Sequence, residues 1–194
     1  MYVLTQYLKK FEPFATWEGA FTNEELDILQ RVAKNSTTQG QVGIPGGSGI
    51  NADIRRSEVT WISPESEFKW VFDRLAHVTS SLNSEFFNLD LTGFGESLQL
   101  TNYTSINTGM YTWHQDMGIG VSRKLSVVTF LTDASEYEGG HFELIITNPN
   151  EPVRVKKQRG LTIAFPSWMI HQVTPVTSGS RQSLVAWVTG PNLR

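Results

Sequence analysis

Apolar residues fall at two different periods along this chain. Leu26, Leu29 and Ala33 recur three or four residues apart, the spacing of one helix face. Thr22-Asn23-Glu24-Glu25 stands ahead of them with capping-box spacing, in which a hydroxyl and a carboxylate satisfy free backbone N–H groups. A helix is therefore predicted to about Lys34. A second helix is predicted after Pro64, to about Asn88, because Phe68, Val71, Phe72, Leu75, Leu82 and Phe86 keep helical spacing. His77 on it reads as a partly exposed surface residue. Between the helices, Val59 and Trp61 alternate with Glu58 and Thr60, which predicts a strand over Ser57–Ile62. Asn35–Ala52 is rich in glycine, contains Pro45, and reads as a long mobile loop. Loops of that length are uncommon unless functional or disordered, and its composition makes it a candidate lid.

From Leu98 the pattern shortens. β-rich runs are predicted at Leu98–Tyr103, Gly109–His114, Lys124–Leu131, His141–Ile146, Val153–Val155, Leu161–Phe165, Ile170–Val173 and Gln182–Val188, with Gly, Pro, Asn and Ser between them. Many short strands separated by turn residues indicate a sandwich or barrel. With no internal repeat and no linker, the expectation is one domain over 1–194. A helical and strand support region (1–97) packs on a mainly β core (98–191).

Composition narrows the chemistry. The 194 residues include no cysteine, which excludes disulfides, thiolate-held clusters and cysteine nucleophiles. Any metal must be held by His, Asp, Glu or carbonyl oxygens. The net charge of −3 gives no basic field to attract nucleic acid or acidic lipid. No apolar run approaches a membrane span, and the opening MYVLTQYLKKFEPF lacks the layout of a secretion signal. A soluble, cytoplasmic protein is expected.

Three of the four histidines lie in the β half, and His114-Gln115-Asp116 is the informative triplet. On an extended segment, residues i and i+2 share a face, so the imidazole and the carboxylate project together. Gly118 and Gly120 follow, suggesting that the strand ends at an open mouth. On spacing alone a hydrogen-bonded pair at a strand end reads equally well. His171, 57 residues later at the start of another β-run, shifts the balance. Two histidines and one carboxylate make the facial triad that leaves positions open on iron(II), whereas a structural zinc site wants four protein ligands. Arg181 and Ser183 share a face ten and twelve residues beyond His171. A guanidinium fork beside a hydroxyl is a receptor for a carboxylate. Arg181 has no acidic neighbour on its run, and an unpaired charge in an apolar strand is costly.

The blocks Tyr111-Thr-Trp-His-Gln-Asp, Arg123-Lys-Leu-Ser-Val-Val-Thr-Phe-Leu, Tyr137-Glu-Gly-Gly, Phe165-Pro-Ser-Trp-Met-Ile-His-Gln-Val-Thr-Pro-Val and Gly179-Ser-Arg-Gln-Ser-Leu-Val-Ala-Trp occur in this order. Together they resemble the prolyl-4-hydroxylase-like (PKHD-type) iron(II)/2-oxoglutarate-dependent dioxygenases of bacteria and phages, over roughly Leu98–Pro191. The resemblance implies a double-stranded β-helix (jelly-roll) core with His114, Asp116 and His171 as iron ligands. It implies Arg181, with Ser183 beside it, as the partner of the distal carboxylate of 2-oxoglutarate. Tyr103 resembles a co-substrate-contacting tyrosine, although it stands 11 residues before His114 where nine is usual. The implied cofactors are Fe(II), 2-oxoglutarate and O2. The implied reaction is hydroxylation of a C–H bond in a peptide or small molecule, a prolyl group included, with release of succinate and CO2. A non-catalytic module binding 2-oxoglutarate or metal is the alternative.

Some positions depart from the family or stay open. His141 stands where the family commonly has an acidic residue, and reads as an exposed strand residue, a substrate contact or a further imidazole. Trp187 occupies the place where nucleic-acid demethylases of the superfamily carry a second arginine, which argues against a nucleic-acid substrate. Trp113, Trp168 and Trp187 read as core or rim packing ahead of substrate platforms. Arg154, Lys156, Lys157 and Arg159 read as a solvated hairpin edge, with an anion-docking patch as the alternative. The sequence does not disclose the oligomeric state.

Overall fold

The computed structural model describes residues 12–44, 47–118 and 122–191. Most of the opening segment tested for a leader, together with Gly120, lies outside the described residues. The first half supplies strands β1 (Ala15–Trp17), β2 (Thr38–Gln39), β3 (Val42–Ile44), β4 (Gly47–Gly49), β5 (Arg55–Arg56) and β6 (Glu58–Ile62). It also supplies helices α1 (Asn23–Lys34) and α2 (Lys69–Leu82). There follow β7 (Gly93–Phe94), β8 (Leu98–Thr104), β9 (Met110–His114), β10 (Arg123–Phe130) and β11 (Tyr137–Gly139). The chain continues through β12 (Phe142–Leu144), β13 (Val153–Arg154), β14 (Thr162–Pro166), β15 (His171–Val173) and β16 (Val176–Thr189).

Fourteen of these strands form two antiparallel sheets in the double-stranded β-helix arrangement, and β3 and β4 pair separately. The larger runs β1-β14-β10-β16-β8-β6-β2, with β7 and β11 also pairing to β16. The smaller runs β13-β12-β15-β9-β5. One apolar core lies between the larger sheet and the helices, where Leu26, Leu29 and Ala33 of α1 meet Val71, Leu75 and Leu82 of α2 and Leu100, Leu125 and Leu184. The other core includes Val128, Phe130, Phe142, Phe165, Val173 and Val176, drawn from both sheets. Strands covered on a core face use the β-branched and aromatic residues that pack best on a pleated surface.

Local chemistry fixes the ends of these elements. The Thr22 hydroxyl accepts from Glu25 N–H, while Thr22 N–H donates to the Glu25 carboxylate at 2.8 Å, completing the capping box. The second helix is shorter than its apolar spacing predicts. It leaves α geometry after Leu82 for a single π turn, Asn83–Phe87, which stops at Asn88 in the left-handed region (φ 51°). The Asn83 side chain then donates to Leu89 C=O and accepts from Leu89 N–H, each at 2.9 Å. Gly139 (φ 69°) needs its missing side chain, because a Cβ there would stand 2.0 Å from Pro175 O.

One expectation requires correction. Asn35–Ala52 is not a structureless loop: β2 joins β6 at the edge of the larger sheet, and β3 and β4 pair as a hairpin. Glycine-rich strands show no alternation of side chains, so backbone pairing there leaves no period to read. The support region contributes strands as well as helices: β1, β2 and β6 extend the larger sheet and β5 the smaller one.

Candidate metal centre and its cavity

The site begins with strand pairing. β15 lies antiparallel to β9 with His171 directly opposite His114, and opposed residues present their side chains on one face. Asp116 follows two residues beyond the end of β9. Its N–H and that of Met117 both donate to Ser167 C=O at 2.9 Å, tying the turn to the segment that leads into β15. The ligand atoms of His114, Asp116 and His171 lie within 4.8 Å of one another. The separations are 3.8 Å from His114 Nε2 to Asp116 Oδ1 and 3.7 Å from His171 Nε2 to Asp116 Oδ2.

Each group is held in the form a cation needs. His114 Nδ1 sits 2.7 Å from Thr112 C=O, and His171 Nδ1 sits 2.9 Å from Met169 C=O. A carbonyl can only accept, so the proton is on Nδ1 and each Nε2 lone pair faces the centre. Burial, reinforced by the neighbouring His171, pushes the His114 pKa down to about 3, so this ring is neutral at ordinary pH. For Asp116, burial works to raise the pKa. His171, His114 and the Ser126 hydroxyl outweigh it and hold the carboxyl below its ordinary value. Ser126 Oγ–H donates to Asp116 Oδ2 at 2.6 Å and lies 2.9 Å from Ser167 Oγ. The Trp187 indole N–H faces the same carboxylate closely enough to lower its pKa, without reaching hydrogen-bond geometry. Tyr111 stacks on His114, ring centroids 3.4 Å apart, and burial pushes its phenol up to about 12.

The triad opens into a narrow cavity of about 40 Å³ between the two sheets. On β16, Arg181 is 2% exposed, Nη1 donates to Ser183 Oγ at 3.3 Å, and Nη2 has no protein partner. The guanidinium lies 5.5 Å from the Tyr103 ring centre and 5.2 Å from that of Phe130. A buried cation carrying an unmet donor, in one cavity with three inward-facing ligand groups, suits a ligand that binds a cation at one end and has a carboxylate at the other. The donor set, two imidazoles and one carboxylate, suits iron(II).

Of the residues singled out in the sequence, His114, Asp116, His171, Arg181, Ser183 and Tyr103 all line this cavity. His141 does not; it immediately precedes β12 beside Lys157, Arg154 and Glu143, outside the lining residues. In the basic stretch, Arg154 pairs with buried Glu143, Arg159 with Asp27, and Lys157 lies over the Tyr137 ring at 4.3 Å. Trp187 is buried and lines the cavity, whereas Trp113 is 38% exposed. Sequence reasoning gave no role to Ser126, Tyr111 or Arg55. A hydroxyl at Ser126 inside the apolar run Leu125–Phe130 is the signal that could have found the first.

A second space adjoins the first. A groove of about 480 Å³ shares Asp116, Tyr111, Arg55, Gln99 and Trp187 with the cavity, and is walled by β2, β3, β4 and Trp61. Across it, Arg123 makes a bidentate pair with Glu96, both contacts 2.7 Å, and lies over the Trp187 ring at 3.8 Å.

Comparison with known proteins bears on the same residues. Residues 98–189 match the sequence model of the 2OG-Fe(II) oxygenase superfamily. A PKHD-type hydroxylase of Shewanella oneidensis is 41% identical over 68 residues, covering 35% of this chain and 30% of the relative. One of Prochlorococcus marinus is 41% identical over 80 residues, covering 41% of this chain and 35% of the relative. The chain thus matches about a third of the length of these relatives. Among solved structures, a Pseudomonas putida prolyl-4-hydroxylase aligns over 93% of this chain and 94% of its own, with TM-score 0.71 and 18% identity. A Trichoplax adhaerens prolyl hydroxylase, in complex with a hypoxia inducible factor peptide fragment, aligns over 92% and 84%, with TM-score 0.74 and 18% identity. At that identity these two show the fold. No helix among the described residues is long and apolar enough to cross a membrane.

Proposed function

Because residues 98–189 match the 2OG-Fe(II) oxygenase superfamily, we propose that this chain is an iron(II)- and 2-oxoglutarate-dependent dioxygenase. It hydroxylates a C–H bond of a peptide or small-molecule substrate, converting 2-oxoglutarate to succinate and CO2. The observation that carries this reading is the unmet Nη2 donor of buried Arg181, which shares one cavity with His114, Asp116 and His171. A vestigial site has no reason to keep both.

In this reading His114 Nε2, His171 Nε2 and one Asp116 oxygen hold the iron. When bound, iron(II) with 2-oxoglutarate supplies oxygen activation coupled to decarboxylation of the co-substrate. Arg181 pairs with the distal carboxylate of 2-oxoglutarate, Ser183 adds a hydroxyl, and Tyr103 flanks it. Ser126 keeps Asp116 ionised and fixed in rotation. The stacked Tyr111 ring limits the swing of His114 and, staying protonated, offers a donor towards the groove. Val128, Phe142, Val173 and Val185 line the cavity and exclude water from the reacting centre. Residues 98–191 are the catalytic core, and those before them support it and wall the groove. The PKHD-type and prolyl hydroxylase names of the relatives favour a prolyl acceptor.

The test is anaerobic addition of iron(II) and 2-oxoglutarate to purified protein. A visible metal-to-ligand charge-transfer band is expected, lost in His114→Ala and weakened in Arg181→Ala, with succinate formed once air is admitted. A folded, metal-loaded sample with no band and no succinate would overturn the reading in favour of a binding module.

A further inference from the structure

Two arginines are buried among the described residues, Arg181 at 2% and Arg55 at 7% exposure, and neither has a carboxylate partner. By contrast, Arg74, Arg123, Arg154 and Arg159 each pair with Glu or Asp. Arg181 finds its anion in the co-substrate of the proposed function. Arg55 stands on β5, borders both the cavity and the groove, and has no role in that chemistry.

Arg55 is held by neutral groups alone. Nε donates to Ser57 Oγ at 2.7 Å, Nη1 to Gln41 C=O at 3.2 Å, and Nη2 to Gln99 Oε1 at 2.7 Å. These contacts use three of the five guanidinium N–H donors. Gln99 is itself aimed, its Oε1 accepting from Thr101 Oγ at 3.2 Å. The Tyr111 ring lies 4.8 Å from the guanidinium carbon. Gly40 completes the cradle, because a Cβ there would stand 2.5 Å from both Arg55 Nε and Ser57 Oγ. Backbone has come so close that only glycine leaves room for the cation. A side chain wanted only for packing carries no need of a charge there, and a buried charge held by neutral groups remains costly.

We propose that Arg55 is the substrate-selecting cation of the groove, and that the primary substrate presents a carboxylate to it while the carbon to be oxidised faces the iron site. The proposal rests on the function proposed above, and adds that the substrate is acidic at a position reaching Arg55. Arg123 is already paired with Glu96 and the Asp116 carboxylate is taken by the metal site in the proposed function, so Arg55 is the groove cation without a carboxylate partner of its own. The carboxylate has two sources, a free main-chain terminus or an acidic side chain, and paired probes separate them. Proline against prolinamide reads the first. Acetyl-aspartyl-prolyl-glycinamide against its asparaginyl counterpart reads the second.

Binding is followed by the fluorescence of Trp61 and Trp187, which line the groove, and by the rate of 2-oxoglutarate consumption. One acid is expected to bind about tenfold or more tightly than its amide, the scale of a charge-assisted hydrogen bond. In Arg55→Gln the acid and amide should converge with amide binding retained, while Arg55→Lys keeps part of the preference. Gly40→Ala, which drives a methyl group into the guanidinium, should reduce the preference as well. Equal response to acid and amide in the native protein, including no response to either, overturns the proposal. So does a preference that survives in Arg55→Gln. The charge-transfer band recorded on the same native sample keeps the two readings apart. Its absence, beside an intact acid preference, fails the iron chemistry and leaves Arg55 standing.

Discussion

The cavity, which is the floor of the site, and the wall of the groove beside it are built differently. The floor comes from strands paired on both sides: β9 and β15 set the histidines opposite each other, and β16, fourteen residues long, carries Arg181 and Ser183 against β8 and β10. The wall comes from short pieces before residue 98, namely two-residue β2 and β5 and the glycine-rich hairpin of β3 and β4, where Gly47 and Ser48 are exposed. The family model covers the floor and stops at its edge, although similarity of fold extends over 93% of the chain. Positions locked into ladders on both sides cannot shift without breaking many hydrogen bonds at once. Short edge pieces can change length or side chains at small cost. In the proposed function, reaction chemistry would therefore belong to the floor and discrimination among substrates to the wall.

The sharpest way to break this contrast is to remove a floor ligand. Asp116→Ala takes away the only carboxylate of the triad and leaves the two imidazoles. Manganese(II), as an air-stable stand-in, is expected to raise the Tm of the native protein by mass action and to leave that of the variant unmoved. A variant still stabilised by metal would show that the floor does not hold it through Asp116. Next in size is Arg181→Met, which keeps the stem and deletes the fork. Loss of a buried charge-assisted pair costs about 2–3 kcal/mol, so 2-oxoglutarate affinity should fall on the order of 100-fold. Titration of the charge-transfer band reads it. An unchanged affinity would move the distal carboxylate elsewhere.

How much of this could be read in advance follows the same division. Thr22 and Glu25 announced the first helix because a capping box is local, and His114-Gln115-Asp116 announced the triad because period two is local. His171 and Arg181 were reachable through ordered blocks shared with a family. Ser126 was not, since its bond to Asp116 exists only when β10 comes to lie beneath the turn after β9. Tyr111 and Arg55 meet because β5 pairs with β9 in the register Arg55↔Tyr111, and a two-residue strand leaves no pattern. The hairpin of β3 and β4 is stabilised by backbone pairing among glycines, which a reading of side-chain periods takes for a loop.

Ser126→Ala tests whether the floor depends on its own support. The hydroxyl donates to Asp116 Oδ2 at 2.6 Å and meets Ser167 at 2.9 Å, so its loss frees the carboxylate to rotate and leaves a small buried gap. Removing such a partner typically costs 10–100-fold in metal affinity. The same titration with manganese(II) should show that loss, with 2-oxoglutarate affinity changed far less once metal is saturating. Equal losses for both ligands would mean that the substitution had disturbed the strand pairing of β10 instead.

The smallest expected effect lies on the wall. Trp61, on β6, is 47% exposed, lines the groove and stands 6.1 Å from the Trp187 ring. Its indole covers little core, so Trp61→Ala should shift stability by no more than about 0.5 kcal/mol, the range of surface substitutions. No ligand group of the floor touches it, and manganese(II) and 2-oxoglutarate affinities should each change by less than about twofold, well under 1 kcal/mol. Substrate binding should respond more, because an aromatic face on a groove wall contributes about 0.5–1.5 kcal/mol beyond its area to a ring packed against it. The expected signature is a several-fold rise in the apparent KM of whichever prolyl probe stimulates 2-oxoglutarate turnover, with kcat held. If kcat and metal affinity fell together instead, Trp61 would be acting through Trp187 on Asp116, and the boundary between wall and floor would have to be redrawn to include β6.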